Sequence, residues 1–366
     1  MHLDTDVCIV GGGPAGVLLG YLLAQKGIST IVLERSNGGK REFRGEHISA
    51  ETEKLLKEHL LFEKIEAKGI LRMNKVEYFD HGQIVRTIVP KLGEEHVGIH
   101  VPQSHLLSAV VKESKGFDNY QLFLNTAVTD LIQDEKGTYR GVKAKKNGEE
   151  LTIYCSIIVG ADGRFSTVRK LANISTNHLS HGYDVLWAKI PTPSNWEATT
   201  RMLLVDGHQL ALFTQTGGFI QIGWNIKEGS FPELKKQPLE PLLEPLVNNF
   251  PELNKAVSRH LQSWKNFVCL KVESSRSETW VKDGLVIIGD AAHTMTPTGA
   301  IGINCAMKDA HVLAPILLDA IAKKETSAKW LKRFERVRRA EIEIQQSKQI
   351  ENELSFIKQF AQTSGF

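Results

Sequence analysis

Two runs of small residues near the end of the chain are the part of the sequence best suited to hold a ligand. Gly289-Asp290-Ala291-Ala292-His293 follows the apolar residues 285–288, and Pro297-Thr298-Gly299-Ala300-Ile301-Gly302-Ile303-Asn304 comes next. Glycine lets the backbone approach a ligand closely, and a helix beginning near Gly302 would direct unpaired N–H groups at electron-rich atoms. Asp290 can accept a hydrogen bond from a sugar hydroxyl. The pattern therefore predicts a nucleotide-like ligand.

A second glycine-rich turn, Gly11-x-Gly13-x-x-Gly16, lies near the start of the chain. It follows an apolar stretch over residues 4–10 that predicts a buried strand, and it opens an apolar helix. In such a βαβ unit Gly11 makes the tight turn, Gly13 admits a pyrophosphate, and Gly16 lets the helix pack on the strand. Glu34 closes the second strand at the distance expected for a ribose ligand. Arg35 either lies along an adenine or is a surface charge. The two ends of the chain together predict one large cofactor, interpreted as flavin adenine dinucleotide (FAD), with Gly11, Gly13, Ala15, Gly16, Glu34 and Arg35 among its ligands.

The third signal lies in the middle of the chain. A short apolar strand over residues 156–159 leads into Gly160-Ala161-Asp162-Gly163-Arg164-Phe165-Ser166-Thr167-Val168-Arg169. Asp162 can accept a backbone or ribose donor, and Ser166 can cap the following helix. Arg169 can tie this turn to a dinucleotide or to a neighbouring carboxylate. The full Asp-Gly-x-x-Ser-x-x-Arg pattern indicates a functional turn, which a bare Asp-Gly pair would not.

Composition excludes several classes of protein. A net charge of +3 over 366 residues is too small to favour nucleic acid as a partner. The four cysteines are scattered and form no CxxC pair, which predicts free thiols in a reducing compartment. We see no secretory signal and no apolar run of membrane-spanning length, and expect a cytoplasmic protein, monomeric or homodimeric, without integral membrane contact. The absence of HExxH and of paired Cys/His sets predicts no metal site.

The order of predicted elements favours two interleaved α/β and mainly β modules. A βαβ start is followed by strands and helices, by a nearly all-strand stretch over 182–227, and by helices over 305–322 and 326–360. We expect a doubly covered, Rossmann-like FAD-binding domain, a mainly β substrate domain inserted into it, and C-terminal helices. The expected boundaries are 1–73, 92–178 and 268–322 for the FAD-binding domain, 74–91 and 179–267 for the substrate domain, and 323–366 for the C-terminal helices.

The three motifs, in this order and at these separations, resemble the single-component aromatic hydroxylases of the para-hydroxybenzoate hydroxylase type. These enzymes are FAD-dependent monooxygenases, and the resemblance covers residues 4–315. It implies an FAD-binding domain of the glutathione-reductase type, in which Asp290 holds the ribityl chain and the backbone of 299–304 meets the flavin ring. The FAD ligands implied by the resemblance are Arg44, Gln103, Asp162, Asp290, Gly299, Gly302, Ile303 and Asn304.

The resemblance also implies a reaction. NADPH or NADH, bound transiently near Asp162, Arg164 and Arg169, would reduce the flavin. Molecular oxygen would then add at the flavin C4a carbon, and the resulting C4a-hydroperoxide would hydroxylate or epoxidise an aromatic or other electron-rich small molecule. Because water destroys the hydroperoxide, the pocket must be shielded. Arg44 and the carbonyl of Pro297 are the residues expected at the reacting centre.

The substrate is expected to lie against the mainly β insert. Side chains alternate between the two faces of the strand over 219–226, and aromatic and amide side chains recur nearby. We expect an apolar, aromatic pocket with a few amide donors; the alternative for any one of these aromatics is a place in the sheet core. Arg201 either anchors a carboxylate or is a surface charge, and His293 is expected to be structural rather than a base. The candidate pocket residues are Trp187, Arg201, Phe213, Gln215 and Trp224.

The chain departs from the hydroxybenzoate enzyme in one respect that bears on function. That enzyme deprotonates its phenol through tyrosines, whereas this chain has no tyrosine after Tyr183. Another base, or a substrate that is already activated, is therefore required. A flavin-dependent halogenase and an FAD-dependent isoprenoid reductase remain alternatives, although residues 223–227 lack the Trp-x-Trp-x-Ile-Pro pattern of halogenases. A non-catalytic flavin-binding redox sensor is the third alternative.

Overall fold

The structure is a computed structural model that describes residues 1–38, 45–80, 82–205 and 208–363. Its strands are β1 (His2–Val10), β2 (Thr30–Leu33), β3 (His47–Ile48), β4 (Leu71–Met73), β5 (Lys75–Asp80), β6 (Gln83–Ile88), β7 (Gly98–His100), β8 (Tyr120–Phe123), β9 (Thr126–Gln133), β10 (Tyr139–Lys146), β11 (Glu149–Gly160), β12 (Thr176–Pro191), β13 (Thr199–Val205), β14 (His208–Gln215), β15 (Phe219–Lys227), β16 (Val268–Ser277), β17 (Val281–Lys282), β18 (Leu285–Ile287) and β19 (His293–Thr294). Its α-helices are α1 (Pro14–Gln25), α2 (Ala50–Glu58), α3 (Phe62–Glu66), α4 (Gln103–Ser114), α5 (Thr167–Leu171), α6 (Phe231–Leu234), α7 (Glu240–Asn249), α8 (Asn254–His260), α9 (Gly302–Lys323) and α10 (Ala328–Thr363).

Parallel strands form the centre of the first sheet, in the order β18, β11, β1, β2, β8. Residues 7–10 of β1 and all of β2 are buried, as expected for strands covered on both faces. Helix α1 packs against α4 and α9 on one side of this sheet. Antiparallel strands β9 and β10 extend β11. The predicted α/β architecture, with a parallel sheet at its centre, is therefore confirmed.

The second sheet has the order β19, β16, β12, β15, β14, β13, β5, β6. Its pairs are antiparallel except for β13 with β5. Alternate residues of β12, β14 and β15 form a buried core with α7, α8 and the turn at Pro251–Leu253. We call this the outer face, and the opposite one, which bears Tyr183, Val185 and Trp187, the inner face.

The helical segment Thr298–Lys323, which contains α9, is long and apolar enough to cross a membrane, with a mean hydropathy of 1.3, so the expectation that the chain has no such run is corrected. Many of its apolar side chains are nevertheless buried inside the protein. Ala310, Leu313 and Leu317 are fully buried, and the helix packs against α1 and α10. The arrangement is that of a core helix.

One domain boundary expected from the sequence needs correction. Strand β16 pairs with β12, so residues 268–277 belong to the second sheet and the chain returns to the first sheet at β17. Helices α2 and α3 are separate because Leu60, which lies between them, has a positive φ of 58°. Helix α4 begins at Gln103, with Pro102 at its N-cap.

Candidate active site

The three sequence motifs meet at one edge of the first sheet. Gly11 follows β1, Glu34 follows β2, Ala161 follows β11, and Gly289 follows β18 after one residue. Because these strands are parallel neighbours, their carboxyl ends lie side by side. The crevice beyond such ends is where open α/β sheets bind ligands. Sequence-distant motifs are thus brought together by strand order.

The glycines of the first turn have different surroundings. A Cβ added to Gly11 would lie 2.2 Å from the carbonyl oxygen of Ala161, and one on Gly16 would lie 2.0 Å from that of Gly11. A Cβ on Gly13 would meet no atom of the described residues within 4 Å. Gly11 and Gly16 are therefore required by backbone packing, whereas Gly13 borders open space. That space lies at the start of α1, where Pro14 occupies the first turn and none of the described side chains caps the helix.

Glu34 is fixed at the rim of this space. Its carboxylate accepts hydrogen bonds from the backbone N–H groups of Gly12, at 2.8 Å, and Ser36, at 2.9 Å. Each carboxylate oxygen can accept more than one hydrogen bond, so the group can still receive a ribose hydroxyl. The neighbouring Arg35 is exposed. Ala15 is buried beside the turn, with its Cβ 3.7 Å from the Cβ position of Gly289.

The Asp162 turn is held by its own helix. The Asp162 carboxylate accepts hydrogen bonds from the backbone N–H groups of Thr167 and Val168 and from the hydroxyl of Ser166. Burial raises the pKa of Asp162, and these hydrogen bonds oppose that rise. Ser166 caps α5, as predicted, by accepting the N–H of Arg169 at 2.9 Å. Asp162 is thus primarily a capping residue at the rim of the crevice.

Arg169 connects two of the motifs, although not through a carboxylate. Its guanidinium donates to the carbonyl oxygens of Ala291 and Arg164, both at 2.8 Å, and the residue is 6% exposed. The sequence motif predicted Arg169 to lie near the nicotinamide nucleotide. Because the Arg169 side chain is buried and donates to two backbone carbonyls, it instead holds the Asp162 turn against the Gly289-Asp290 corner. Arg164 instead donates to the carbonyl of Lys271 near the surface.

A buried ionic cluster supports the Gly289-Asp290 corner. Asp309 of α9 accepts hydrogen bonds from the N–H of Gly289, at 2.8 Å, from His293 and from Arg338, both at 2.7 Å. Burial alone would raise the pKa of Asp309, but His293 and Arg338 lower it below its usual value. His293 is thus a structural residue, as predicted. The sequence did not predict the contributions of Asp309 and Arg338, because no local pattern connects these two residues.

The segment from Thr296 to Asn304, which we call the 296–304 turn, joins this corner to α9. Gly299 and Ala300 both have positive φ, 75° and 52°. The Asn304 side chain accepts the N–H of Ser49 and donates to the carbonyls of His47 and Ala300. Ile303 is buried, and a Cβ on Gly45 would lie 3.4 Å from it. Gly302 starts α9 without a side-chain cap among the described residues, so its N–H groups face the turn.

Gln103 opens α4, and its N–H donates to Glu46 at 3.1 Å. Glu46 also accepts a hydrogen bond from His100 at 3.0 Å, while the N–H of Thr216 donates to the other ring nitrogen of His100. This chain of contacts ties the crevice to the second sheet. Arg44, predicted to act at the reacting centre, lies outside the described residues.

The inner face of the second sheet carries three of the predicted pocket residues. The Trp187 ring lies over Gly223, where an added Cβ would come within 2.8 Å of it, and its centroid is 6.1 Å from that of Phe213. Gln215 donates to Gln221 at 2.7 Å, and both amides are buried. This face approaches the 296–304 turn, since the Tyr183 hydroxyl is 2.9 Å from the Thr298 hydroxyl. Half-exposed Pro297 precedes that contact.

Arg201 and Trp224 are not part of this face. Trp224 is 1% exposed in the outer-face core, with its ring 5.4 Å from that of Phe267. Arg201 pairs with Glu77 and stacks over Trp196 at 3.9 Å. Both point away from the 296–304 turn because β13 and β15 direct alternate side chains to opposite faces. The prediction that Arg201 and Trp224 line the substrate pocket is therefore wrong if the pocket lies on the inner face.

The residues of the crevice fit an FAD molecule. Open space at Gly13, an uncapped helix start and a carboxylate beside the second strand form the surroundings that a pyrophosphate and a ribose require. The positive-φ backbone of the 296–304 turn and the uncapped start of α9 offer N–H groups to a ring at the other end.

Comparison with known proteins agrees with this geometry. The model of the FAD binding domain family matches residues 4–345. The 6-methylpretetramide 4-monooxygenase of Streptomyces rimosus is 31% identical over 342 residues, which cover 93% of this chain and 81% of that protein. Digeranylgeranylglycerophospholipid reductase 1 of Methanococcoides burtonii is 25% identical over 355 residues, covering 92% and 80%. The chain belongs to the FAD binding domain family and is an FAD-dependent monooxygenase of the aromatic hydroxylase type.

Solved structures show the same fold. PqsL of P. aeruginosa, determined in complex with 2-aminobenzoylacetate, superimposes with a TM-score of 0.83 at 18% identity, covering 98% of this chain and 100% of that one. The arrangement of two sheets and C-terminal helices is thus a known fold.

Proposed function

We propose that this protein uses NADPH or NADH and molecular oxygen to hydroxylate a phenolic or enolic aromatic compound. The main support for the proposal is the contact between the inner face and the 296–304 turn, where the Tyr183 hydroxyl lies 2.9 Å from the Thr298 hydroxyl. Trp187 and Phe213 provide apolar surface on the same inner face of the sheet, and the Gln215–Gln221 pair provides amide groups. A flat, electron-rich ring fits such surroundings.

FAD would be held by the crevice residues. Gly13 and the start of α1 would receive the pyrophosphate, Glu34 a ribose hydroxyl, Asp290 the ribityl chain, and Gly302 to Asn304 the ring. When bound, the flavin would supply electrons from the nicotinamide and oxygen activation by way of the C4a-hydroperoxide that the resemblance implies. Helix α10 contacts the 296–304 turn through Gln349 and would help to exclude water there, and the backbone N–H groups at the start of α9 would orient the ring.

The nicotinamide nucleotide is proposed to dock near Asp162 and Arg164, at the outer rim of the crevice. Arg164 is partly exposed there, and the adjacent Phe165 is 74% exposed. The free cysteines Cys8, Cys155, Cys269 and Cys305 fit the proposal of a reducing, cytoplasmic location. We also propose a monomer or homodimer without integral membrane contact.

The substrate class is proposed from the Streptomyces relative, whose name gives 6-methylpretetramide as what it acts on. The test incubates purified, FAD-loaded protein with NADPH or NADH and this compound under ¹⁸O₂. We expect faster nicotinamide oxidation and a product that carries one atom of ¹⁸O. Stimulated oxidation with hydrogen peroxide as the only oxygen product would contradict hydroxylation of this compound.

A flavin-dependent reductase is the second candidate, because one relative is named as a reductase of digeranylgeranylglycerophospholipids. It would reduce isoprenoid double bonds anaerobically and incorporate no ¹⁸O. The halogenase and redox-sensor alternatives are distinguished by the same assay, since a halogenase needs halide and a sensor shows no substrate-stimulated turnover.

A further inference from the structure

A buried glutamate from α10 lies behind the 296–304 turn. Glu353 is 1% exposed, and one carboxylate oxygen accepts hydrogen bonds from Tyr183, at 3.0 Å, and Thr296, at 2.5 Å. The other oxygen contacts the Nδ1 atom of His181, whose Nε2 is 2.8 Å from the hydroxyl of Ser274. A buried carboxylate is costly unless it is well partnered, and this one has two hydroxyl donors on one oxygen and the His181 ring beside the other.

The partners keep this carboxylate charged. Burial would raise the pKa of Glu353, but hydrogen bonds from His181 and Thr296 lower it below its usual value. Burial and the neighbouring carboxylate raise the pKa of the Tyr183 phenol, which therefore stays protonated. The pair is thus a neutral phenol that donates to an anion.

This donation fixes the direction of the next hydrogen bond. A tyrosine has a single O–H, and Tyr183 gives it to Glu353. In the 2.9 Å contact between Tyr183 and Thr298, the Thr298 hydroxyl must therefore be the donor. The chain of donation runs from Thr298 through Tyr183 to the carboxylate. Thr298 is left with lone pairs only, and it offers an acceptor to anything else that touches it.

Thr298 is the accessible end of this chain. It is half-buried, whereas Tyr183 and Glu353 are 3% and 1% exposed. The backbone on either side is held from α10, because Gln349 donates to the carbonyls of Thr296 and Thr298 and accepts the N–H of Thr296. The acceptor is therefore both oriented and fixed in place, between the inner face and the turn proposed to meet the flavin.

We propose that Thr298 is a specificity-determining residue that accepts a hydrogen bond from an O–H or N–H group of the substrate, and that Glu353 is the positioning residue that sets this direction through Tyr183. The inference rests on the proposed function for the location of the substrate. It narrows the substrate class to aromatic compounds that carry a hydrogen-bond donor on the side of this turn. Compounds in which that donor is methylated leave the acceptor unpaired.

The test compares binding of 1-naphthol and 1-methoxynaphthalene to the FAD-loaded protein by isothermal titration calorimetry, without NADPH or NADH. We expect 1-naphthol to bind roughly tenfold more tightly, the magnitude of one well-formed hydrogen bond with a penalty for its loss. In Thr298→Val the preference should shrink by roughly fivefold or more, and Thr298→Ser should restore it. An unchanged preference in Thr298→Val, or no binding of either probe to the native protein, would overturn the proposal.

Two further variants distinguish an effect on the direction of the Thr298 hydrogen bond from an effect on packing alone. Tyr183→Phe removes the acceptor of the Thr298 hydroxyl, which can then donate as well as accept, so the preference for 1-naphthol over 1-methoxynaphthalene should shrink through tighter binding of 1-methoxynaphthalene. Glu353→Gln should reduce the preference by removing the charge, while Glu335→Gln, another buried glutamate of α10 bound to Arg339 and Trp280, should not. Equal weakening of both probes in Tyr183→Phe would mean that the network only supports the fold. Because these measurements need no turnover, they are independent of the ¹⁸O assay.

Discussion

The crevice at the first sheet and the inner face of the second sheet, which we propose as two sides of one site, are built differently. The crevice is made mainly from backbone: glycines that admit close approach, helix starts, and strand ends set by parallel pairing. The inner face and its support from α10 are made from side chains that come from distant parts of the chain. The first kind of site leaves a local pattern in the sequence, and the second does not.

The largest expected difference between two substitutions is that between Gly16→Val and Gly13→Val in the first glycine turn. Gly16→Val should prevent folding, because its Cβ would overlap the Gly11 carbonyl oxygen at 2.0 Å. Gly13→Val should fold but purify without colour, because its side chain enters the open space proposed for the pyrophosphate. Soluble yield, circular dichroism and the visible spectrum check both variants. Yellow, active Gly13→Val protein would remove the pyrophosphate from this position.

A substitution of Asp309 measures how much the buried charges beside the crevice contribute to the stability of the fold. Asp309→Ala leaves Arg338 and His293 without their carboxylate and should lower the free energy of unfolding by about 3–5 kcal/mol. The pKa of Asp309 is lowered by folding from its usual 3.8, so its contribution is present above about pH 3.8 and is lost as the pH falls below that value. Urea unfolding between pH 7 and pH 3 should therefore show the native protein and the variant converging in acid. A difference that is constant over this range would contradict the assignment.

The two faces of the second sheet are distinguished by a pair of tryptophans. Trp224→Ala should cost about 3–5 kcal/mol of stability, since the ring is fully buried in the outer core. Trp187→Ala should cost less, because the ring is half-buried, and should weaken binding of 1-naphthol more than Trp224→Phe does. Urea unfolding and calorimetry measure the two effects. The reverse pattern would place the substrate on the outer face.

Among these substitutions, Asp290→Ala is expected to change folding least and still to weaken FAD binding. Asp290→Ala should weaken FAD retention by roughly tenfold, the size expected for loss of a hydrogen bond to a charged group, while changing apoprotein stability little. Exposed Asp4 provides the matched control, and Asp4→Ala should leave FAD retention unchanged. Equal FAD affinities of native protein and Asp290→Ala would exclude Asp290 from the ribityl site.

The sequence was sufficient to predict the fold class and the convergence of the motifs. Periodicity identified β1 and β2, and the residues after them followed from the rule that parallel strands end at one edge. It was not sufficient for the second sheet, because Trp187 and Trp224 are equally apolar and only the register of β12 with β15 assigns them to opposite faces.

The contacts between α10 and the 296–304 turn could not be predicted from the sequence for a different reason. Gln346, Gln349 and Glu353 share one helix face, but the helix is polar around most of its circumference, so this spacing carries no distinctive signal. Their partners, residues 181–183 and 294–298, are far away in sequence. The tertiary arrangement alone reveals that Glu353 is buried against the 296–304 turn.

The ends of β1, β2, β11 and β18 are proposed to enclose one FAD molecule, and the rest of the site depends on this placement. The decisive measurement is the visible spectrum of freshly purified protein, followed by quantification of the flavin released by heat. We predict a yellow protein that releases stoichiometric FAD. A colourless protein that also fails to bind added FAD would contradict this placement.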